Sequence, residues 1–579
     1  MNLRHLQRSP FRLDARALAW VAETFGRLSP RERRAQLVVP LCLDGSPENL
    51  DRLAALGVGG LFRAIGRPLA ELRAEAERLR RASAVPPLLC GDLEFGERDA
   101  IGGDEGTALP NQLAAAAAGG RAVERMARVA AIEGRAAGFD WSFTPVADLE
   151  WNFHNPVVNT RSFGDDPARV ARAVRTYITA MQRAGMAACV KHWPGDGVDD
   201  RDQHYVTSVN SLPLAAWDRT YGRIYRAAIR AGVLSVMSAH IALPAWPGAG
   251  DGPASRSQAL NLGLLRGRLG FNGLIVSDAC GMGGLTATGG PETLVPGMIA
   301  AGCDMVLFPA DVELELDHLA RAVASGRLSE ERVAEAVLRV LALKAALGLH
   351  HRTKLPPRLP AATRKRHARW MRDSAAQALT LVRDDAGLLP LSSRRQRRVL
   401  LIESGPRRNL FGPLPALQMA RLLEDAGFTV GRLAEDTEVS LERFDVAIYA
   451  VAEEGGACKT SLKLRWDELH GGAVRGMMRV WRELPTVFVS FGNPWHVREV
   501  TGCPTYVNAY SPVPAVQAAV VQALMGRIRF RGTSPVDLAR ASSPAEPGSG
   551  SAHRNSSCRF EPRAVRAAAR SRMKASASS

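Results

Sequence analysis

The sequence predicts an α/β protein in which an N-terminal (β/α)₈, TIM-like barrel is followed by a smaller, open-sheet α/β domain. The prediction depends on a regular alternation of apolar runs with helical segments, and on the polar residues that follow those runs. Eight short apolar runs lie at residues 37–43, 59–62, 87–90, 141–144, 187–190, 234–238, 273–277 and 305–308. Eight such alternations within about 300 residues are typical of this barrel.

The segments between the apolar runs have helical composition. They cover residues 67–83, 111–138, 166–184, 214–231, 258–269 and 291–301, and a last helix at 329–347 closes the barrel. A further helix start is indicated at Ser29-Pro30, because serine caps helices and proline suits the first helical turn. We therefore assign residues 1–350 to the barrel domain.

A second, shorter α/β pattern follows the barrel. Its apolar runs lie at residues 399–402, 446–451, 486–491 and 505–508 and alternate with helical segments. This pattern predicts a smaller open-sheet domain over 399–540, joined to the barrel by a linker and connecting helix at 351–398. Residues 541–579 are rich in Ser, Ala, Pro, Gly and Arg, a composition that favours a disordered basic tail.

The chain is strongly basic, with a net charge of +17 and a pI near 10.1. Its arginines are spread through the helical segments without interleaved aromatic residues, so we expect no specific nucleic-acid partner. No run of about 18 apolar residues predicts a membrane span. The start of the chain has no apolar signal-peptide core and the eight cysteines are scattered, so we expect a cytoplasmic protein without disulfides.

One loop carries an unusual density of ionisable residues. The apolar run at 187–190 ends in Lys191 and His192, a Pro-Gly turn follows, and the next loop contains Asp202 and His204. In an extended loop, two residues that are two apart fall on one side, so the Asp202 carboxylate can accept the ring N–H of His204. That contact would leave the other ring nitrogen free to exchange a proton. The alternative interpretation is a solvated acidic loop with an incidental histidine.

Ionisable residues also follow most of the other predicted barrel strands. Barrel enzymes carry their chemistry at the C-terminal strand ends, so these residues are expected to share one face of the barrel. The residues are Asp92, Glu94, Asp148, Arg161, Lys191, His192, Asp202, His204, His240 and Asp278.

Several motifs along the chain resemble glycoside hydrolase family 3, in the order in which that family has them. They are Asp92-Leu-Glu94, Arg161-Ser-Phe-Gly164, Lys191-His-Trp-Pro-Gly195, Asp202-Gln-His204, Leu269-Gly-Phe-Asn-Gly-Leu-Ile-Val-Ser-Asp278 and Ala301-Gly-Cys-Asp-Met305. The Lys-His-x-Pro-Gly run with a downstream Asp-x-His resembles the β-N-acetylglucosaminidase branch, which includes peptidoglycan-recycling enzymes. The second domain is similar to the family's α/β sandwich domain, including its ending from Phe530 to Leu538.

The resemblance implies retaining hydrolysis of β-linked N-acetylglucosamine without cofactor or metal. It implies that Asp278 is the nucleophile and that His204, oriented by Asp202, is the general acid/base. Lys191 is expected to keep Asp278 ionised, whereas a helix N-cap is the structural alternative for Asp278.

The resemblance also implies sugar-hydroxyl contacts for a second group of residues. They are Asp92, Arg161, Lys191 and His192. Salt bridges within the barrel are the structural alternative for this group, and core hydrogen bonding is the alternative for Asp148 and His240. The chain departs from the branch at Asp196, where the branch usually has histidine.

Three other functions stay open at this point. A β-glucosidase or β-xylosidase of the same family would use Glu453 or Glu454 of the second domain as its acid. A phosphorylase would release a sugar 1-phosphate, since a histidine repels anionic phosphate less than a carboxylate does. A non-catalytic protein that binds cell-wall fragments or nucleic acid is the third alternative; it requires the loss of Asp278 or His204, and neither is lost. The sequence leaves the oligomeric state open.

Overall fold

The computed structural model describes residues 3–63, 66–95, 101–102, 106–351, 354–405, 408–409, 412–433 and 440–539. The tail predicted at 541–579 lies outside these residues.

Parallel strands form the barrel sheet, which confirms the predicted fold class. They are β1 (Val38–Val39), β2 (Leu41–Cys42), β3 (Gly60–Arg63), β4 (Leu88–Gly91), β5 (Trp141–Ser142), β6 (Ala187–Trp193), β7 (Ser235–Ser238), β8 (Leu274–Ala279) and β9 (Met305–Leu307). Their order in the sheet is β1-β9-β8-β7-β6-β5-β4-β3-β2.

The first predicted strand divides into β1 and β2 at Pro40. Val38 pairs with Val306 of β9, whereas Leu41 pairs with Phe62 of β3. Proline has no N–H to donate, so the ladder is interrupted there. The two end strands of the sheet are therefore consecutive in the chain, and the sheet is nearly closed.

Helices follow the barrel strands close to their predicted positions. The α-helices are Ala15–Arg27, Pro30–Ala35, Pro47–Leu56, Leu69–Ala82, Gln112–Ala118, Gly120–Ala136, Pro167–Arg183, Leu214–Arg219, Tyr221–Arg230, Gly283–Thr286, Pro291–Ala300, Val312–Ala324 and Glu330–Ala346. Ser29 and Glu32 form the capping box of the second helix. The predicted helix at 111–138 is broken at Gly119, whose φ of 99° is accessible mainly to glycine. The segment Ala259–Arg268 forms a π-helix.

The second domain contains a six-stranded sheet. Its strands are β10 (Thr380–Asp384), β11 (Arg398–Glu403), β12 (Thr429–Arg432), β13 (Val446–Val451), β14 (Thr486–Ser490) and β15 (Thr505–Asn508). The order is β10-β15-β14-β13-β11-β12, and only the β10–β15 pair is antiparallel. The α-helices are Ala361–Ala378, Met419–Asp425, Trp466–His470, Ala473–Gly476 and Pro514–Leu524.

The segment predicted as a linker contributes to this second sheet. Strand β10 lies within 351–398 and pairs with β15 at the edge of the sheet. Both faces of the sheet are covered: Val399 and Leu401 of β11 pack in one apolar cluster, and Leu400 and Ile402 pack in another. This alternation is the pattern expected of a sheet enclosed by two layers. None of the helices in the described part of the chain is long and apolar enough to cross a lipid bilayer.

Candidate active site

Asp278 lies near the C-terminal end of β8, where the buried strand reaches the surface of the barrel. Its Oδ1 accepts a hydrogen bond from the N–H of Ala279 at 2.8 Å. Burial opposes its ionisation, but His192, His240 and His204 together hold the pKa of Asp278 below its ordinary value. Asp278 does not cap a helix, because the N-cap of the following helix is Met282. The carboxylate is thus rigid and ionised at neutral pH.

Asp202 and His204 are in direct contact. His204 Nδ1 lies 2.5 Å from Asp202 Oδ1, and the backbone N–H of His204 donates to the same oxygen at 2.9 Å. The loop is a turn rather than an extended segment, since the N–H groups of Tyr205 and Val206 both donate to the carbonyl oxygen of Asp202. A carboxylate only accepts hydrogen bonds, so Nδ1 carries a proton and Nε2 is left for proton exchange.

Exposure differs between the two partners of this contact. The side chain of His204 is 22% exposed, whereas that of Asp202 is 4% exposed. Burial opposes ionisation of Asp202, yet the hydrogen bonds from His204 and the His204 charge lower the pKa of Asp202. The pair therefore presents an accessible imidazole on a buried, ionised carboxylate.

Lys191 contacts two carboxylates at the end of β4, those of Asp92 and Glu94, and Arg161 contacts one of them, Glu94. Lys191 Nζ lies 2.7 Å from Asp92 Oδ1 and 2.8 Å from Glu94 Oε1. The Arg161 guanidinium donates to both oxygens of Glu94, from Nε at 3.0 Å and from Nη2 at 2.9 Å. Burial would raise the pKa of Glu94, but the two cations hold it well below its ordinary range.

This ion-pair network corrects the expectation that Lys191 keeps Asp278 ionised. Lys191 is paired with Asp92 and Glu94, and the charges that lower the pKa of Asp278 belong to three histidines. The salt bridges foreseen as the structural alternative are therefore formed. Asp92 is the most open member of the network, because its side chain is 33% exposed whereas that of Lys191 is 4% exposed.

His192 is held by the buried carboxylate of Asp148. His192 Nδ1 lies 2.6 Å from Asp148 Oδ2, and the backbone N–H groups of His192 and Asp196 donate to Asp148 Oδ1 at 3.2 and 2.8 Å. Burial and the nearby Asp148 charge raise the pKa of Asp196 to about 8. Asp148 thus orients His192 and also fixes the start of the turn after β6.

His240 is fully buried next to the end of β8 that carries Asp278. Its Nε2 lies 3.0 Å from the carbonyl oxygen of Ala279, and its Nδ1 lies 2.8 Å from Ser255 Oγ. Since a carbonyl oxygen only accepts, Nε2 carries the proton, and burial lowers the pKa of His240. The residue supports the backbone next to Asp278, in line with the core hydrogen bonding considered for it.

The second domain contributes contacts that the sequence did not predict. The backbone N–H of Cys458 donates to Asp202 Oδ2 at 2.8 Å. Glu454, considered above as an acid, is buried and accepts a hydrogen bond from Asn111 at 3.0 Å. Glu453 lies 3.5 Å from both Lys459 and Arg465. A backbone amide has no side-chain signature, so no sequence signal could have found the Cys458 contact.

An ionised carboxylate on a barrel strand end, beside an imidazole held by a second carboxylate, is suited to nucleophilic and acid–base catalysis. The fold and this geometry define a barrel enzyme with a second α/β domain. Residues 31–343 match the model of the glycosyl hydrolase family 3 N-terminal domain. The chain belongs to glycoside hydrolase family 3 and is a glycosidase.

Two curated relatives are similar to this chain. A β-N-acetylglucosaminidase/β-glucosidase of Cellulomonas fimi is 38% identical over 561 residues, which cover 92% of this chain and 98% of the relative. A β-hexosaminidase of Xanthomonas oryzae pv. oryzae is 36% identical over 257 residues, which cover 43% of this chain and 75% of the relative.

Two solved structures share the architecture. The β-glucoside phosphorylase BglX, bound to 2FGlc, is 33% identical with a TM-score of 0.86, covering 93% of this chain and 100% of that one. A family 3 β-N-acetylglucosaminidase from Paenibacillus sp. is 24% identical with a TM-score of 0.77, covering 88% of this chain and 99% of that one. The second likeness is evidence for the fold alone.

Proposed function

We propose that this protein is a retaining glycosidase that removes terminal β-linked N-acetylglucosamine. The Asp202–His204 contact carries the proposal, because it supplies an accessible acid/base next to the carboxylate of Asp278. The names of the Cellulomonas and Xanthomonas relatives support the same sugar class.

In the proposed first step, Asp278 attacks the anomeric carbon and forms a covalent glycosyl-enzyme. His204 donates the Nε2 proton to the leaving oxygen at the same time. In the second step the neutral imidazole removes a proton from water, which hydrolyses the intermediate. Asp202 stabilises the imidazolium in the first step and fixes the tautomer of the neutral imidazole in the second.

We propose that Asp92, Arg161, Lys191 and His192 bind the sugar hydroxyls. Asp92 is the most direct candidate, since its exposed side chain is oriented by a buried ammonium. Arg161 acts chiefly by holding Glu94, which in turn helps to hold Lys191. His192 is oriented by Asp148 and contributes to the ionisation of Asp278.

Phosphorolysis is the second candidate, favoured by the likeness to a β-glucoside phosphorylase over 93% of this chain. In that reaction inorganic phosphate replaces water in the second step. A histidine suits this acceptor, because a carboxylate acid/base would repel the phosphate anion. A β-glucoside substrate is the matching alternative, since the Cellulomonas relative carries both names.

Product analysis tests these alternatives. The enzyme is given an aryl β-N-acetylglucosaminide or an aryl β-glucoside, each with and without inorganic phosphate. We expect free N-acetylglucosamine in both buffers and faster turnover of the N-acetylglucosaminide. Sugar 1-phosphate as the main product would replace hydrolysis with phosphorolysis, and faster turnover of the glucoside would replace the proposed sugar.

We further propose that the natural substrates are cell-wall fragments handled in the cytoplasm, as in peptidoglycan recycling. The described cysteines are free thiols, which suits a reducing compartment. We also propose a barrel domain over residues 1–350 and a second domain that begins before β10, earlier than residue 399, and ends near residue 540. Fractionation of the native cells, followed by activity assays, tests the compartment.

A further inference from the structure

A loop of the second domain lies directly against the catalytic loop of the barrel. We name residues 453–462 the Cys458 loop and residues 199–207 the Asp202 loop. The N–H of Cys458 donates to Asp202 Oδ2 at 2.8 Å, and the hydroxyl of Tyr205 donates to the carbonyl oxygen of Cys458 at 3.2 Å. Both the N–H and the carbonyl oxygen of Cys458, a residue of the second domain, are therefore hydrogen-bonded to the Asp202 loop.

The Cys458 loop is itself fixed to the barrel just before this contact. The N–H of Gly455 donates to Thr160 Oγ1 at 3.0 Å, and the N–H of Gly456 donates to the carbonyl oxygen of Pro156 at 2.8 Å. A side chain at Gly455 has no room, because an added Cβ would lie 2.8 Å from the Cβ of Asn159. Close approach of the two backbones thus delivers the N–H of Cys458 to a defined position.

The contact completes the hydrogen bonding of the Asp202 carboxylate. One oxygen holds the imidazole and backbone of His204, and the other accepts from Cys458. With both oxygens held, the carboxylate cannot rotate about its terminal bond without breaking a charge-assisted hydrogen bond. The orientation of the imidazole therefore depends on an amide of the second domain.

We propose that Cys458 is a positioning residue for the acid/base, acting through its backbone N–H. The second domain is then part of the catalytic centre through a backbone group. This inference rests on the proposed role of the Asp202–His204 pair. Loss of the N–H should lower the rate of the acid-catalysed step by about 10- to 10²-fold. A loss of up to about 10²-fold is the size expected for a catalytic group displaced by about 1 Å.

The primary test is Cys458→Pro, which removes the N–H and also, because proline fixes φ at about −65°, forces the backbone away from the φ of 61° that Cys458 adopts, so both changes break the contact with Asp202. Thr460→Pro is the matched control, because Thr460 is an exposed residue of the same loop that does not contact Asp202. Cys458→Gly is the conservative variant: it keeps the N–H and accommodates the φ of 61° that Cys458 adopts. Each variant is assayed with an N-acetylglucosamine disaccharide and with a dinitrophenyl β-N-acetylglucosaminide.

We expect Cys458→Pro to lower kcat for the disaccharide much more than the rate of dinitrophenolate release, since only the sugar leaving group needs a proton. Thr460→Pro and Cys458→Gly should keep the wild-type ratio of the two rates. In the Asp202→Asn background, Cys458→Pro should cost little more, because the two changes remove one interaction. Equal losses on both substrates, or independent losses in the double variant, would overturn the proposal.

A second variant keeps the test decisive if Cys458→Pro does not fold. Tyr205→Phe removes the other hydrogen bond to Cys458 and should shift the same rate ratio in the same direction, by a smaller factor. An unchanged ratio in Tyr205→Phe, together with an unfolded Cys458→Pro, would assign the loop a purely structural role.

The variant His204→Ala separates failure of the positioning role of Cys458 from failure of the proposed function. If His204→Ala does not change the ratio of the two rates, the acid/base assignment itself is wrong. If His204→Ala changes the ratio and the Cys458 variants do not, only the positioning role is wrong.

Discussion

Lys191 Nζ lies 2.7 Å from Asp92 Oδ1, so the end of β6 is joined to the end of β4 by a buried ammonium. The same ammonium contacts Glu94, which Arg161 also holds. Two cations and two carboxylates balance in charge within one network. Removal of either cation leaves a buried carboxylate partly uncompensated, which is costly in free energy.

The first prediction concerns this network. Lys191→Met should lower the free energy of unfolding by about 3–5 kcal/mol, because the charges of Asp92 and Glu94 lose a partner. It should also lower kcat/KM, because Asp92 is no longer held towards the sugar. Lys365→Met, at an exposed helical position, is the control. Denaturant unfolding and steady-state kinetics measure both effects, and unchanged stability would contradict the charge balance described here.

The second prediction concerns Asp278, the proposed nucleophile. Asp278→Asn keeps the size of the side chain but removes the attacking carboxylate, so the rate should fall by several powers of ten while the fold is kept. Circular dichroism and thermal unfolding check the fold. In the wild-type enzyme, a 5-fluoro-N-acetylglucosaminyl fluoride, which keeps the 2-acetamido group, should label Asp278 once per chain, as peptide mass spectrometry can establish. A fully active, folded Asp278→Asn protein would exclude the assignment.

The sequence was largely sufficient for the barrel because most of its strands are buried apolar runs. It was less informative for β10 at the sheet edge, in which only the first residue, Thr380, is buried. An edge strand with one neighbour needs little apolar character, so composition alone suggested a linker. Pro40 likewise divides a run that appears continuous in the sequence.

The candidate site, like the fold, could be predicted only in part from the sequence. Strand ends predicted which ionisable residues would gather, and spacing predicted the Asp202–His204 contact. The partner of Lys191 could not be inferred, since pairing depends on distances between strand ends. The Cys458 contact joins residues 256 positions apart through a backbone atom, and neither composition nor periodicity records such a contact.

The third prediction concerns a buried carboxyl group between the domains. Glu150 is fully buried, and its Oε1 accepts a hydrogen bond from Trp495 of the second domain at 2.8 Å. Burial raises the pKa of Glu150 to about 8, whereas an unfolded chain releases this proton near about pH 4.3. Between these values the folded state binds more protons, so the free energy of unfolding falls as pH rises.

Glu150→Gln removes that titration and keeps an oxygen that can accept from Trp495. We expect it to raise the melting temperature at pH 8 and above, where the wild-type protein has lost on the order of 4 kcal/mol, and to have little effect below about pH 4.5. Glu442→Gln, at an exposed position, is the control. Equal effects of Glu150→Gln at both pH values would show that the titration of Glu150 is not linked to folding.

The fourth prediction separates His204 from Glu453 and Glu454 as the acid. An alkoxide leaving group needs a proton and a nitrophenolate hardly does, and general acid catalysis contributes about 10²–10⁴-fold. His204→Ala should therefore nearly abolish cleavage of an N-acetylglucosamine disaccharide. An activated aryl substrate should still give a rapid burst of phenolate, followed by slow hydrolysis of the glycosyl-enzyme, because the same imidazole activates water.

Two further variants complete this comparison. Asp202→Asn should weaken both steps less than His204→Ala, since it disturbs the orientation and charge of the imidazole but removes no proton carrier. Glu453→Gln combined with Glu454→Gln should leave the disaccharide-to-aryl rate ratio unchanged. Glu454 is buried and accepts a hydrogen bond from Asn111, and Glu453 lies beside the cations of Lys459 and Arg465. If the disaccharide-to-aryl rate ratio falls in the double Gln variant and stays at its wild-type value in His204→Ala, the acid belongs to the second domain and the β-glucosidase mechanism applies.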